Sequence, residues 1–411
     1  MTRWKSLLIF LSIIGPGIIA ANLGNDASGI ATYSVSGARF GHALLWTLIP
    51  TTVVLVIVQE MVARMGVITG KGLADLMREN YGVRTTFYVM LALFVANFGT
   101  AVGNFAGWAA SMEIFGLSKY IMVPLGAVFI WLLVTRGSYR LLERILLIAC
   151  VLYVGYIISA VLSKPDWAKV AYNAIVPDLK LDTEYVMLTL AIIGTSITPW
   201  MQFYLQSFIA EKDIRKEHYK ASKLDVIIGC SIHGVIAFFI IVTCATTLFP
   251  YGIRIEEAHE AAIALKPLAG PYASGLFAIS LANASILGAI VVPLATAYYI
   301  CGAMGWESGV NKTFKEAPQF MWIYTVLIVF SCAIVLIPEA PLVLLMILPP
   351  VVNGILLPVI LVFIVSLVNN RAIMGEHINP KSYNYISWGT VVVLIAITAV
   401  LMVMTIAEWL F

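Results

Sequence analysis

Apolar residues run along this chain in long blocks parted by short polar stretches. The blocks fall at 6–37, 43–67, 86–112, 121–135, 141–163, 184–210, 225–249, 271–303, 320–338, 341–368 and 383–408. A helix crossing the hydrocarbon layer of a bilayer needs about 20 apolar residues, so the pattern predicts an all-α integral membrane protein with eleven transmembrane helices. Segments 1, 6, 8 and 10 are interrupted by Gly, Pro or polar positions, and the others are more continuous. Segment 1 carries Gly15-Pro16-Gly17 and then Gly24-Asn25-Asp26-Ala27-Ser28-Gly29, and segment 6 carries Gly194-Thr195-Ser196-Ile197-Thr198-Pro199-Trp200.

Composition agrees with this. Hydrophobic residues make up 61% of the 411 and charged residues 11%, against about 25% charged in a soluble domain. A soluble enzyme and a nucleic-acid binder are excluded, and no nucleophile–base pair or phosphate-binding loop is evident. The first apolar run follows Arg3 and Lys5 but lacks a convincing small-residue cleavage site, so it reads as the first transmembrane helix rather than a signal peptide. The five cysteines lie in or beside apolar runs and read as small packing residues. Most of the 25 basic residues fall on one side of the predicted topology when the N-terminus is placed inside, with Lys212, Arg215, Lys216, Lys220 and Lys223 together in one inner loop. The predicted plan is therefore a cytoplasmic N-terminus and an outer C-terminus in the plasma membrane. The loop at 164–183 is expected to hold an interfacial helix near Asp166-Trp167.

Acidic residues carry more information than net charge. Two of the 22 are assigned to the interior of apolar segments, Asp26 and Glu60. Glu60 has Arg64 four residues on, and an i,i+4 ion pair near the helix end accounts for it. Asp26 has no basic residue within a turn, and an ionisable side chain at membrane depth marks a functional site by default. Its neighbours break the helix, as Pro199 breaks segment 6. Unwound backbone is tolerated at that depth only where it is buried in protein or lines a wet cavity. Segment 1 opens the first five helices and segment 6 the next five. That placement points to an inverted-repeat transporter with its site between the repeats: 1–163 as the first, 184–368 as the second, and 383–411 as an added helix. One carboxylate, several hydroxyls and free carbonyls suit a hard cation. Mg²⁺ fits these donors, and so do Mn²⁺ and Ca²⁺. An amino acid, its amine on Asp26, is a weaker alternative.

The same residues resemble the natural resistance-associated macrophage protein (Nramp) family of divalent metal transporters. The resemblance runs through Gly15-Pro16-Gly17, the run Gln59, Arg64, Gly66, Thr69 and Gly70, the stretch from Glu256 through Gly270 into Leu276-Phe277-Ala278, and Leu357-Pro358. It implies a LeuT-like fold. Set against the family's D-P-G-N motif, this chain has Asp26-Ala27-Ser28-Gly29, so the metal-binding asparagine is replaced by Gly29. Its M-P-H motif reads Thr198-Pro199-Trp200 here, so the metal-binding methionine is replaced by Thr198. A second family histidine aligns near Leu205, and an acidic pair in helix 3 becomes Ala101 and Asn104 before Gly107.

A thioether favours transition metals, and a hydroxyl in its place removes that filter. Loss of the asparagine side chain at Gly29 is expected to enlarge the cavity for a partly hydrated Mg²⁺. The pattern resembles the Nramp-related magnesium transporter branch. The implied metal ligands are Asp26, Gly29, Thr195, Thr198 and Asn353. The substrate is Mg²⁺ or Mn²⁺, with no resident cofactor and no partner beyond the ion and the lipid bilayer, and the chain is expected to act as a monomer. A proton relay needs intramembrane acids or histidines. Of these only His233, read as a hydrogen-bonded core histidine, lies mid-helix, so transport is expected to be uncoupled from protons. The alternatives are a proton-coupled Mn²⁺/Fe²⁺ transporter, an amino-acid transporter of the same fold, and a non-transporting sensor. A sensor would be expected to carry a long soluble tail, whereas the chain ends close to its last apolar segment. Gln202 and Gln206 are read as lining an inner vestibule or bonding between helices, and Trp108 and Trp200 as packing residues.

Overall fold

The computed structural model describes residues 15–253, 255 and 271–410. Residues 6–14 of segment 1 and the stretch from Glu256 to Gly270 lie outside the described residues. All regular structure among the described residues is helical. Ten helices are long and apolar enough to cross a membrane, and segment 1 supplies the further, broken one.

Segment 1 forms α1 (Pro16–Asn22), a single 3-10 turn at Leu23–Asn25, and α2 (Ala27–Phe40). Then follow α3 (Leu48–Thr69), α4 (Leu73–Ile114), α5 (Lys119–Arg136), α6 (Tyr139–Val151), α7 (Val154–Leu162) and the short α8 (Trp167–Ile175). Segment 6 is split into α9 (Thr183–Ser196) and α10 (Pro199–Glu211), parted by Ile197 and Thr198. The chain continues as α11 (Tyr219–Thr247), α12 (Pro271–Met304), α13 (Pro318–Val335), α14 (Leu342–Val368), the single turn α15 (Arg371–Met374) and α16 (Lys381–Leu410).

Several boundaries differ from the apolar pattern for local reasons. Segment 3 starts thirteen residues earlier than its apolar run, because a polar turn from Leu73 joins the helix through a kink at Gly82, whose φ is +77°. Segment 5 is two helices joined by a turn at Leu152-Tyr153. Segment 10 is one continuous helix despite Pro349, Pro350 and Pro358. The helix expected in loop 164–183 is α8, capped by the Asp166 carboxylate on Ala168 N and Lys169 N at 3.0 and 3.3 Å.

Helices approach one another through small residues, as packing without a hydrophobic driving force requires. A Cβ on Gly17 would stand 2.7 Å from Val226 N, and one on Gly229 would stand 2.5 Å from the Gly17 carbonyl, so α1 and α11 cross backbone to backbone. A Cβ on Gly194 would run into the Pro350 carbonyl, which brings α9 hard against α14.

A third buried acid emerges at the first of these crossings. Asp225 stands at the very start of its apolar run, where a helix-end position is expected, but α11 begins at Tyr219 and the side chain is buried. Its carboxylate accepts from Gly15 N (3.1 Å), Gly17 N (2.6 Å) and Ile18 N (3.3 Å), satisfying the open amides at the start of α1. This contact explains the Gly-Pro-Gly sequence: Pro16 needs no partner for its nitrogen, and the glycines let the acid reach the backbone. Glu60 and Arg64 pair at 3.4 Å. Arg64 also donates to the carbonyls of His377 and Ile378 and to Asn379 Oδ1, and Glu60 accepts from the Tyr219 hydroxyl. The ion pair read from the sequence is thus part of a network tying α3 to α11 and to the loop before α16.

Candidate functional site

The two breaks meet in the interior. Asp26 is the N-cap of α2, with extended backbone, and its Oδ1 accepts from Gly29 N at 2.9 Å. The short side chain caps the restarted helix as Asp does at any helix start; here that start is buried, and Asp26 is 3% exposed. Across the gap, the Thr195 hydroxyl donates to the Gly24 carbonyl at 3.1 Å, and the Tyr33 and Ser196 hydroxyls bond at 2.9 Å. The unwound turn of segment 1 is therefore held directly to the last turn of α9. Thr198, the N-cap of α10, donates its hydroxyl to the Thr195 carbonyl at 2.7 Å. Its oxygen keeps lone pairs for a further partner.

The other Asp26 oxygen, Oδ2, accepts from Asn104 Nδ2 on α4 at 2.8 Å. The same amide accepts from Ala27 N at 3.2 Å and donates to the Thr100 carbonyl at 2.9 Å. Asn104 thus clamps the carboxylate and the first amide of α2 together. The alignment with the family marks this position as one that has lost an acid. A carboxyl group there would need a proton to donate as the amide does, and Asn104 makes the contact without one. The contact was not foreseen from the sequence, because spacing cannot show which residue of α4 faces Asp26.

Asn353 on α14 belongs to the same neighbourhood. Its Nδ2 donates to the Thr100 hydroxyl at 3.2 Å, one turn from Asn104, and its buried Oδ1 has no partner among the described residues. Thr100 thereby links Asn353 to Asn104 and so to Asp26. Asp26, Gly29, Thr195, Thr198 and Asn353 are all buried, so an ion reaches them only if helices move.

Gly29 departs from its expected role. A Cβ there would overlap the Gly24 carbonyl and sit 2.9 Å from Thr195 Oγ1. The space vacated by the family's asparagine is filled by the backbone of the unwound turn, and the cavity is not enlarged. Gly29→Ala should therefore push the two breaks apart and lower transport about tenfold or more, with a stability loss of roughly 1–3 kcal/mol from overpacking. Flux and thermal melting of the purified variant check this, and wild-type flux would refute it.

Other sequence expectations resolve as follows. Gln202 sits beneath the break with Nε2 3.5 Å from the Thr198 carbonyl, whereas Gln206 donates to the Lys71 carbonyl at 3.0 Å and so bonds between helices. Trp200 is fully packed, and Trp108 donates to the Met122 carbonyl, both consistent with packing roles. His233 is not a hydrogen-bonded core histidine: it is 1% exposed, and neither ring nitrogen has a partner among the described residues. Lys212, expected to be a simple interfacial anchor, pairs with Glu143 of α6 at 2.5 Å.

Comparison with known proteins places this geometry. The family model described as natural resistance-associated macrophage protein-like matches residues 17–404. The divalent metal cation transporter MntH of Yersinia pestis is 26% identical over 405 residues, covering 96% of this chain and 95% of its own. Among solved structures, the manganese transporter of Eremococcus coleocola superposes with a TM-score of 0.77 at 20% identity, over 97% of this chain and 86% of its own. MhsT, solved with L-phenylalanine, superposes at 0.60 and 13% identity over 94% and 97%. These superpositions establish the LeuT-like fold. With a family match over nearly its whole length and both helix breaks in place, the chain is a multi-pass membrane protein of the natural resistance-associated macrophage protein family.

Proposed function

We propose that this protein moves divalent metal ions across a membrane by alternating access, with Mg²⁺ as the main cargo and Mn²⁺ as the second, and without proton coupling. The observation that carries the proposal is the position of Asp26: a buried carboxylate at the junction of two helix breaks, surrounded by hydroxyl, amide and backbone oxygens. Such oxygens serve hard cations. Thr198 offers a hydroxyl where the family has a thioether, which favours Mg²⁺ over softer ions. Asp26, Thr195, Thr198 and Asn353 hold the ion or its waters, and the helices that carry the breaks rock against the rest.

The uncoupled reading draws on Asn104. Its amide meets Asp26 where the family's acid would carry a titrating proton. The gradient of the ion and the membrane potential then drive flux. The N-terminus lies in the cytoplasm, the C-terminus outside, in the plasma membrane, and one chain is the working unit. A second reading, manganese as principal cargo, has the names of the relatives in its favour.

Proteoliposome flux under competition by Mg²⁺, Mn²⁺ and Ca²⁺, with a pH dye inside, tests the proposal. Wild-type protein should carry Mg²⁺ without internal acidification, and Thr198→Met should shift selectivity from Mg²⁺ toward Mn²⁺ by about tenfold, ~1.4 kcal/mol. Absence of Mg²⁺ flux sinks the magnesium reading. Acidification that tracks uptake and disappears in Asp26→Ala sinks the uncoupled one.

A further inference from the structure

We infer that His233 is a specificity-determining ligand on the α11 side of the ion path, giving an otherwise all-oxygen site one nitrogen donor for transition metals. The inference rests on reading the helix break as the ion site.

The argument starts from an imbalance in the interior. A neutral imidazole has one N–H donor and one lone-pair acceptor. In His233 both are buried, and neither has a partner among the described residues. A buried polar group left unpaired costs about 1–3 kcal/mol, so two on one ring call for a partner that the closed protein does not supply. The ring faces the break. A Cβ on Gly24 would stand 2.8 Å from His233 Cε1 and 3.1 Å from Nδ1, and 2.9 Å from the Thr195 carbonyl. Gly24 is thus flanked by the imidazole on one side and a site carbonyl on the other, and only glycine lets the ring come this close. The edge of the ring also meets Tyr33, centroids 6.4 Å apart, and Tyr33 bonds to Ser196 at the second break.

A second orphan lies beside the first. Asn25, in the unwound turn, donates Nδ2 to the His233 carbonyl at 3.4 Å, and its own Oδ1 is buried without a partner. The α11 wall of the break therefore presents an imidazole and an amide oxygen with free lone pairs. That pair lies across the unwound turn from the Asp26–Asn104 contact. Imidazole binds Mn²⁺ and its heavier neighbours more readily than Mg²⁺, which keeps its waters and prefers oxygen. When the break loosens to admit an ion, Mn²⁺ exchanges one water for a His233 nitrogen, and Mg²⁺ retains its water there. His233 and Asn25 thereby keep a route to Mn²⁺ in a site whose other donors favour Mg²⁺.

The test uses full-length protein carrying His233→Gln, which keeps a donor and an acceptor of similar size, and His233→Leu, which keeps only bulk. In proteoliposomes, His233→Gln should raise KM for Mn²⁺ about tenfold and change KM for Mg²⁺ less than threefold. A packing role would move both ions together. Pulsed electron paramagnetic resonance of Mn²⁺-loaded protein gives a readout independent of flux: nitrogen hyperfine modulation in the wild type, lost in both variants. Equal shifts for the two ions, or no nitrogen modulation in the wild type, would overturn the assignment. If wild-type protein carries Mn²⁺ but no Mg²⁺, the magnesium reading fails while the resonance result still decides the role of His233.

Discussion

Asp26→Asn should abolish divalent-ion flux, by at least about 100-fold in kcat/KM, while leaving the fold intact. The two parts of this expectation have different causes. Asn is as good a helix N-cap as Asp, and its Oδ1 can still accept from Gly29 N, as the carboxylate does at 2.9 Å. The neutral side chain, however, withdraws the full negative charge among the donors that face the break. A factor of 100 corresponds to about 2.7 kcal/mol, a modest share of what a carboxylate offers a dehydrating divalent cation in a buried site. Asp26→Ala should lose the same flux and a further ~1 kcal/mol of stability, because the cap goes as well. The measurement is ion uptake alongside thermal melting. Retention of a third of wild-type uptake in Asp26→Asn would place the ion elsewhere.

Asp225→Ala is expected to have the largest effect on stability. Three backbone amides, of Gly15, Gly17 and Ile18, donate to this one carboxylate. α1 has only seven residues, too few to hold itself as a helix without such an anchor. Removing the acceptor leaves buried donors unpaired, at about 1–3 kcal/mol each if nothing rearranges. The expected loss is ~3 kcal/mol, with α1 released from α11. Thermal melting in detergent reads the stability, and the accessibility of a cysteine placed at Ile18 reads the release. Asp225→Asn keeps one acceptor and should fall between the variant and the wild type. A melting temperature within a degree of wild type for Asp225→Ala would show that α1 is held by its packing alone.

Most of the architecture was legible in the order of residues, and the reason is the solvent. A bilayer forces each crossing to satisfy its own backbone, so length and apolarity find the helices without knowledge of their neighbours. Gly and Pro at 24–29 and 194–199 then fix where two of them break. Glu60 and Arg64 were legible too, because four residues along a helix are one turn apart. The resemblance to the family supplied the candidate ligands, and the breaks bring Asp26, Gly29, Thr195 and Thr198 together as their positions suggested.

What escaped the sequence depends on which face of one helix meets another. Asp225 looked like a helix-end acid, and only the crossing of α1 over α11 at Gly17 and Gly229 reveals it as the anchor of the first helix. Asn104 read as a missing acid, and the packing of α4 shows it holding Asp26. Gly29 read as added space, yet the unwound turn folds back into that space, a backbone path that no side-chain substitution predicts. His233 read as a satisfied core residue, and the register of α11 against Gly24 leaves both its nitrogens unpaired. Sequence alone determined the membrane class, the helices, the two breaks and the lone acid between them, because those follow from local periodicity and the cost of charge in lipid. Tertiary structure decided which polar groups face one another, because interhelical contacts depend on rotation and crossing angle, and neither is written in the spacing of residues along one helix.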